Sequence, residues 1–120
     1  MGEQGTGLLL VMIDIDPEHE EEFNRWYDEE HLPERVQCPG FLSARRFVSV
    51  EGAPKYLAFY ELADPAVLDT EAYRRIQPPS EWAKKLSPHF SATVRNVYRD
   101  ITPDVPDGYV VRATRTSGRA

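Results

Sequence analysis

One run near the start of the chain, Leu8 to Ile15, limits the fold more than any other stretch. Every position from Leu8 to Ile15 is apolar except Asp14. Successive side chains of a strand point to opposite faces, so Leu9, Val11, Ile13 and Ile15 form one apolar face and Leu8, Leu10 and Met12 form the other. A sheet with helices on one side and water on the other would alternate. This run does not, and both of its faces need cover.

The residues that follow supply one of the two covers. Asp16 and Pro17 read as an N-cap and a first-turn proline, and Glu18, Glu20, Glu21 and Glu22 sit where a helix dipole favours carboxylates. Phe23, Trp26, Tyr27, Glu30 and His31 then recur at the spacing of one helical face. Pro33 permits only a short continuation, and Pro39-Gly40 forces a turn. Phe41 to Val50 is predicted as the second strand, Glu51 to Pro54 as a hairpin link, and Lys55 to Leu62 as the third strand. Asp64-Pro65 opens a second helix through Tyr73 to about Ile76, which Pro78-Pro79 ends. A short helix over Ser80 to Leu86 and a fourth strand over Ser91 to Ile101 complete the order β-α-β-β-α-β. That order is the split βαβ, or ferredoxin-like, α+β arrangement with an antiparallel four-stranded sheet. Residues 1–102 make a single domain, and residues 103–120 are expected to be an arm or tail.

Charge and composition exclude several function classes. A formal net charge of -6 argues against a nucleic-acid partner. The doublets Arg45-Arg46, Arg74-Arg75 and Lys84-Lys85 do not form a patch, because adjacent residues face different ways. The apolar run is too short for a membrane span or a signal peptide, which leaves a cytoplasmic location as the expectation. Cys38 is the one cysteine and has no basic neighbour in sequence to activate it. No glycine-rich nucleotide loop and no GxSxG turn is present, and no cofactor is expected.

His31 is the first candidate for chemistry, since an imidazole can take and return a proton near neutrality. The competing reading is a histidine placed by the dipole at a helix C-terminus. His19 is expected in solvent, and His89 is a weaker second candidate. Only one of Arg45 and Arg46 can enter a cavity, and Arg46 is preferred as the group that would hold a carboxylate or enolate oxygen. Tyr56, Tyr60 and Tyr98 are expected to share a face with Ala58, Val94 and Asn96 and to offer donors to an oxyanion. Trp26, Tyr27 and Trp82 are expected as core or pocket wall. Asp28 stands three residues before His31, a helical ligand spacing, but with no second histidine nearby this does not make a metal site. A face of tyrosines and Asn96 beside aliphatic residues suits a cavity or an interface, and a second copy of the sheet would cover it.

Trp26, the four residues after it, His31-Leu32-Pro33, and Pro39-Gly40 opening a strand together resemble the dimeric α+β barrel superfamily, nearest to its EthD-like branch. Muconolactone methylisomerase-type members have a similar His-to-Pro-Gly spacing. The resemblance spans about Leu8 to Thr102 and implies a homodimer with a small-molecule cavity. It does not imply one reaction, because such members include cofactor-free isomerases, polyketide cyclases, small monooxygenases and haem-binding proteins. The expectation is a cofactor-independent isomerase, lyase or cyclase acting on a small oxygenated compound, with His31 as its acid or base. The alternatives are an accessory protein that binds a ligand unchanged, and a small monooxygenase or haem-binding member.

Overall fold

The computed structural model describes residues 5–103. Strands β1 (Gly7–Ile15), β2 (Phe41–Val48), β3 (Tyr56–Leu62) and β4 (Phe90–Arg99) form one sheet in the order β2-β3-β1-β4. All three neighbouring pairs are antiparallel. This is the ferredoxin-like topology that the order of elements predicts. All but the first residue of the predicted 103–120 arm lies outside the described residues.

Strand register decides which side chains face the helices. Residues directly opposite each other across an antiparallel pair share a face. Leu9 pairs with Tyr60, Val11 with Ala58 and Ile13 with Tyr56, while Ala44 pairs with Tyr60 and Arg46 with Ala58. All of these look toward the helices. Leu8 pairs with Tyr98, Leu10 with Asn96 and Phe59, and Met12 with Val94 and Leu57, on the opposite, open face. Tyr56 and Tyr60 therefore do not share a face with Tyr98, contrary to the sequence expectation. Alternation within a strand separates its two faces, but only pairing with β1 says which of them is covered.

The helical cover begins with a 3-10 turn at Pro17–His19 and continues as α1 (Glu20–Trp26), a π-helical turn (Tyr27–His31) and α2 (Leu32–Val36). Asp16 occupies the N-cap position but makes no side-chain capping bond; its carboxylate lies 3.6 Å from His89 Nδ1 instead. The π turn has a local cause. Pro33 has no N–H to offer Glu29, and its ring needs the space that this carbonyl would fill in an α-helix. Ahead of it the ladder slips by one residue, and the Leu32 N–H bonds Tyr27 O.

The second predicted helix is two pieces, a 3-10 turn at Pro65–Asp69 and α3 (Glu71–Ile76). Thr70 splits them because its backbone is extended, and its Oγ1 accepts from the Tyr73 N–H at 3.2 Å, which caps α3. α4 (Glu81–Leu86) is capped in the same way by Ser80 Oγ on the Ala83 N–H at 3.0 Å. Between the sheet and these helices lies the core, which includes Leu9, Ile13, Phe23, Trp26, Phe41, Leu62 and Leu86. Gly40 ends the turn before β2 with φ +96°, and a Cβ there would meet Val67 Cγ2 at 2.5 Å. That explains the glycine after Pro39.

Candidate functional site

The π turn sets where His31 points. Trp26 and Tyr27 are buried at 4% and 2% exposure, and the imidazole lies against both. Its ring centre is 4.5 Å from that of Trp26, tilted by 31°, and 5.0 Å from that of Tyr27, edge-on. Aromatic packing holds the ring, and no described residue hydrogen-bonds its nitrogens. Burial, followed by the positive charges of Arg35 and Arg46, lowers its pKa from 6.5 to about 3. His31 is neutral at physiological pH.

The ring borders a cleft of about 210 Å³ between the π turn, the Ile76–Ser80 segment and the start of β4. Trp26, Ile76, Pro78, Pro79 and Phe90 give it an apolar wall, and Glu30, His31, Arg35 and Ser80 contribute polar groups. Glu30 ties two sides together: its Oε2 accepts from Trp26 Nε1 at 3.1 Å and from the Ser80 hydroxyl. Arg35 is 9% exposed. Its Nη1 donates to Glu34 Oε1 at 3.1 Å and to the Ile76 carbonyl at 3.2 Å. Sequence reasoning did not single out Arg35 or Ser80. Arg35 stands one turn after His31, and i, i+4 spacing was the available signal.

The other sequence candidates are spread over three places. Arg46 does face the helices, but its guanidinium is committed there. Nη1 donates to Asp28 Oδ1 at 3.0 Å and Nη2 to Asn24 Oδ1 at 2.8 Å, and the group sits 4.4 Å from the centre of the Tyr27 ring. Beside it, the Tyr56 hydroxyl donates to Glu20 and accepts from Asn24 Nδ2 at 3.2 Å. Tyr60 is 1% exposed, and its hydroxyl makes no well-formed hydrogen bond, although the Tyr27 phenol is close enough to interact with it. Burial, reinforced by the nearby Tyr27 phenol, pushes its pKa well above the usual range. Trp82 is held on the flank of α1, where its Nε1 donates to Glu22 Oε2 at 3.1 Å. Tyr98 lies on the open sheet face and accepts from Asn96 Nδ2 at 3.0 Å. Only Trp26 and His31 of the predicted set border the cleft.

His19 is partly buried rather than in solvent, and its ring stacks on that of His89 with centres 3.6 Å apart. Stacked rings point their nitrogen lone pairs in parallel planes, which does not converge on one ion. Among the described residues no group of three His, Cys, Asp or Glu is placed to hold a metal.

The profile described as Domain of unknown function (DUF4286) matches residues 7–102. The chain belongs to the DUF4286 family. Its fold is that of the ferredoxin-like dimeric α+β barrel proteins. An antibiotic biosynthesis monooxygenase superimposes with a TM-score of 0.57 at 19% identity, covering 83% of this chain and 99% of that one. The haem degrader MhuD from Mycobacterium tuberculosis, with two haems in its active site, gives 0.57 at 14% identity over 83% and 99% of the two chains. An EthD family protein from Bacillus halodurans C-125 gives 0.54 at 16% identity over 79% and 99%. No curated protein matches the chain. At such identities the likeness of this DUF4286 member to solved structures is one of fold.

Proposed function

We propose that this DUF4286 member is a homodimeric small-molecule-binding protein that moves a proton next to a carbonyl group, without a cofactor, in the cleft beside His31. One observation carries the reading: a neutral imidazole, fixed by aromatic rings rather than by hydrogen bonds, borders a small half-apolar cleft with its nitrogens uncommitted. A neutral imidazole donates through one nitrogen and accepts through the other. Its low pKa adds a condition. Imidazolium forms there only as negative charge develops beside it, which is what an enolate oxygen provides when a proton leaves carbon. The reaction class is thus isomerase, lyase or cyclase chemistry on a small carbonyl compound.

The experiment is solvent exchange. The wild-type protein is expected to promote deuterium incorporation from D2O next to the carbonyl of small ketones and keto acids, followed by NMR. His31→Ala should lose that activity while its circular dichroism stays unchanged. Exchange retained in the variant would end the assignment, and ligand binding without exchange in the wild type would favour an accessory role. A Soret band in the purified protein would favour the haem-binding alternative.

The dimer is supported by the open sheet face, where Leu8, Leu10, Met12, Leu57 and Phe59 are only partly buried and Phe47 and Tyr98 are 42% and 47% exposed. A contiguous apolar surface of this kind marks an interface. Leu10→Asp should convert a sedimenting dimer to a folded monomer; an unchanged sedimentation coefficient would remove this face from the interface.

A further inference from the structure

Arg35 is a buried cation whose donors are half used. A guanidinium carries five N–H donors, and both hydrogen bonds that Arg35 makes come from Nη1. Nε and Nη2 have no partner among the described residues. They are not sealed from solvent either, since the Tyr60 hydroxyl is the one fully buried unpartnered side-chain atom described. Arg35 borders the cleft beside Glu34 and Ile76, the two groups that its Nη1 meets. The charge itself is incompletely matched. Its acidic neighbour Glu34 has a side chain 43% exposed, against 10% for Arg35, and reaches it from the rim. The Glu30 oxygen nearest to donors is already taken by Trp26 and Ser80. Burying a guanidinium without full pairing is costly, and its Nε–Nη2 edge is the edge that matches a carboxylate with two parallel hydrogen bonds. The influence of this charge reaches well into the fold, since it acts on His31, Tyr27, Tyr60 and Cys38.

From this geometry we infer that the ligand of the cleft carries a carboxylate, gripped by the Nε–Nη2 edge of Arg35 one helical turn from His31. The inference rests on the reading of the cleft as a binding site and names the substrate class for it: small carboxylic acids with a compact apolar body. The apolar wall of Trp26, Ile76, Pro78, Pro79 and Phe90 receives that body. The cleft volume of about 210 Å³ suits a compact ligand with a body of about one ring.

Benzoate, benzamide and benzylamine share a shape and differ in charge, so they serve as probes. Binding is read from the Trp26 indole N–H and His31 ring signals of the 15N-labelled full chain. Benzoate should bind at least about 10-fold more tightly than benzamide, and benzylamine should bind no better than benzamide. Arg35→Gln and Arg35→Lys should each weaken benzoate about 10- to 100-fold, because both lose the forked edge, and should leave benzamide unchanged. Should the Arg35 variants fail to fold, Glu34→Gln decides the matter: removing the competing carboxylate should tighten benzoate about 2- to 5-fold, and unchanged or weaker binding overturns the anchor. Equal affinity for benzoate and benzamide, or preference for benzylamine, also overturns it. The two proposals fail separately. Benzoate bound through Arg35 with the His31 ring signals unmoved leaves the anchor standing and removes His31 from the chemistry, whereas a His31 response to benzamide without a benzoate preference does the reverse.

Discussion

The two ends of the first helix bury similar groups and treat them in opposite ways. Toward α1, Arg46 binds Asn24 and also Asp28 and the Tyr27 ring at the start of the π turn, while Tyr56 and Lys55 converge on Glu20. Toward α2, Arg35 uses one nitrogen, and His31 at the close of the π turn uses neither. Their side-chain exposures are close, 16% for Arg46 and 10% for Arg35. Burial alone does not distinguish a structural arginine from one kept for a ligand. The edge left free does: Arg46 uses both terminal nitrogens, whereas Arg35 leaves Nε and Nη2 together without a partner.

The largest expected effect tests whether the His31 end is truly held unprotonated. With a folded pKa of about 3 against 6.5 for the free side chain, the unfolded chain binds a proton between those values and the folded chain does not. Stability therefore falls as pH drops from 6.5 toward 3, by roughly 3–5 kcal/mol for this group. Urea unfolding of wild type and His31→Gln across that range should show the loss in the wild type and a shallower slope in the variant. Glu20 and Glu22, whose carboxyls are lowered first of all by their bonds to Lys55 and Lys85, lose stability in the same direction and are common to both proteins. Parallel curves would mean that His31 is ordinarily solvated.

Replacing each arginine with methionine comes next. Arg46→Met removes two hydrogen bonds and a cation–π stack and should cost about 2–3 kcal/mol in thermal or urea unfolding. Arg35→Met also removes two hydrogen bonds and a looser contact with the Tyr73 ring at 5.7 Å, but it relieves a poorly matched buried charge at the same time and should cost less, about 1 kcal/mol. Equal losses would erase the difference between the two ends. The smallest effect belongs to Tyr60. Tyr60→Phe takes away a sealed, unpartnered hydroxyl and should leave stability unchanged or raise it by up to about 1 kcal/mol. A clear loss would show that the hydroxyl has a partner.

The order of elements was legible because each boundary carries its own local chemistry, such as Asp64-Pro65, Ser80 and Pro39-Gly40. His31 was legible because helical periodicity and a titratable ring coincide at it. The facing of Tyr56 and Tyr60 was not, since both parities of β3 are apolar or aromatic and only its register against Leu9 and Ile13 separates them. Arg46 faces inward as preferred, yet nothing in its neighbours could announce that Asn24 and Asp28, eighteen or more residues earlier, would take up its donors. Arg35 was passed over because it looks like one more charge on an acidic helix. Its burial depends on Ile76 and Tyr73, which reach it from α3.

The π turn makes the helix a phase shifter. One residue more than an α turn separates Tyr27 from Leu32 in the ladder, and each residue carries about 100° of rotation. Deleting the exposed Glu29 would let an ordinary α ladder run through, with Leu32 bonding the same Tyr27 carbonyl and Arg35 kept in place. Wound as a plain α-helix at its present length, the same sequence would instead turn His31 and Arg35 by about 100° away from Trp26 and Tyr73. The turn thus absorbs one residue and keeps both halves of the helix on the faces they pack with.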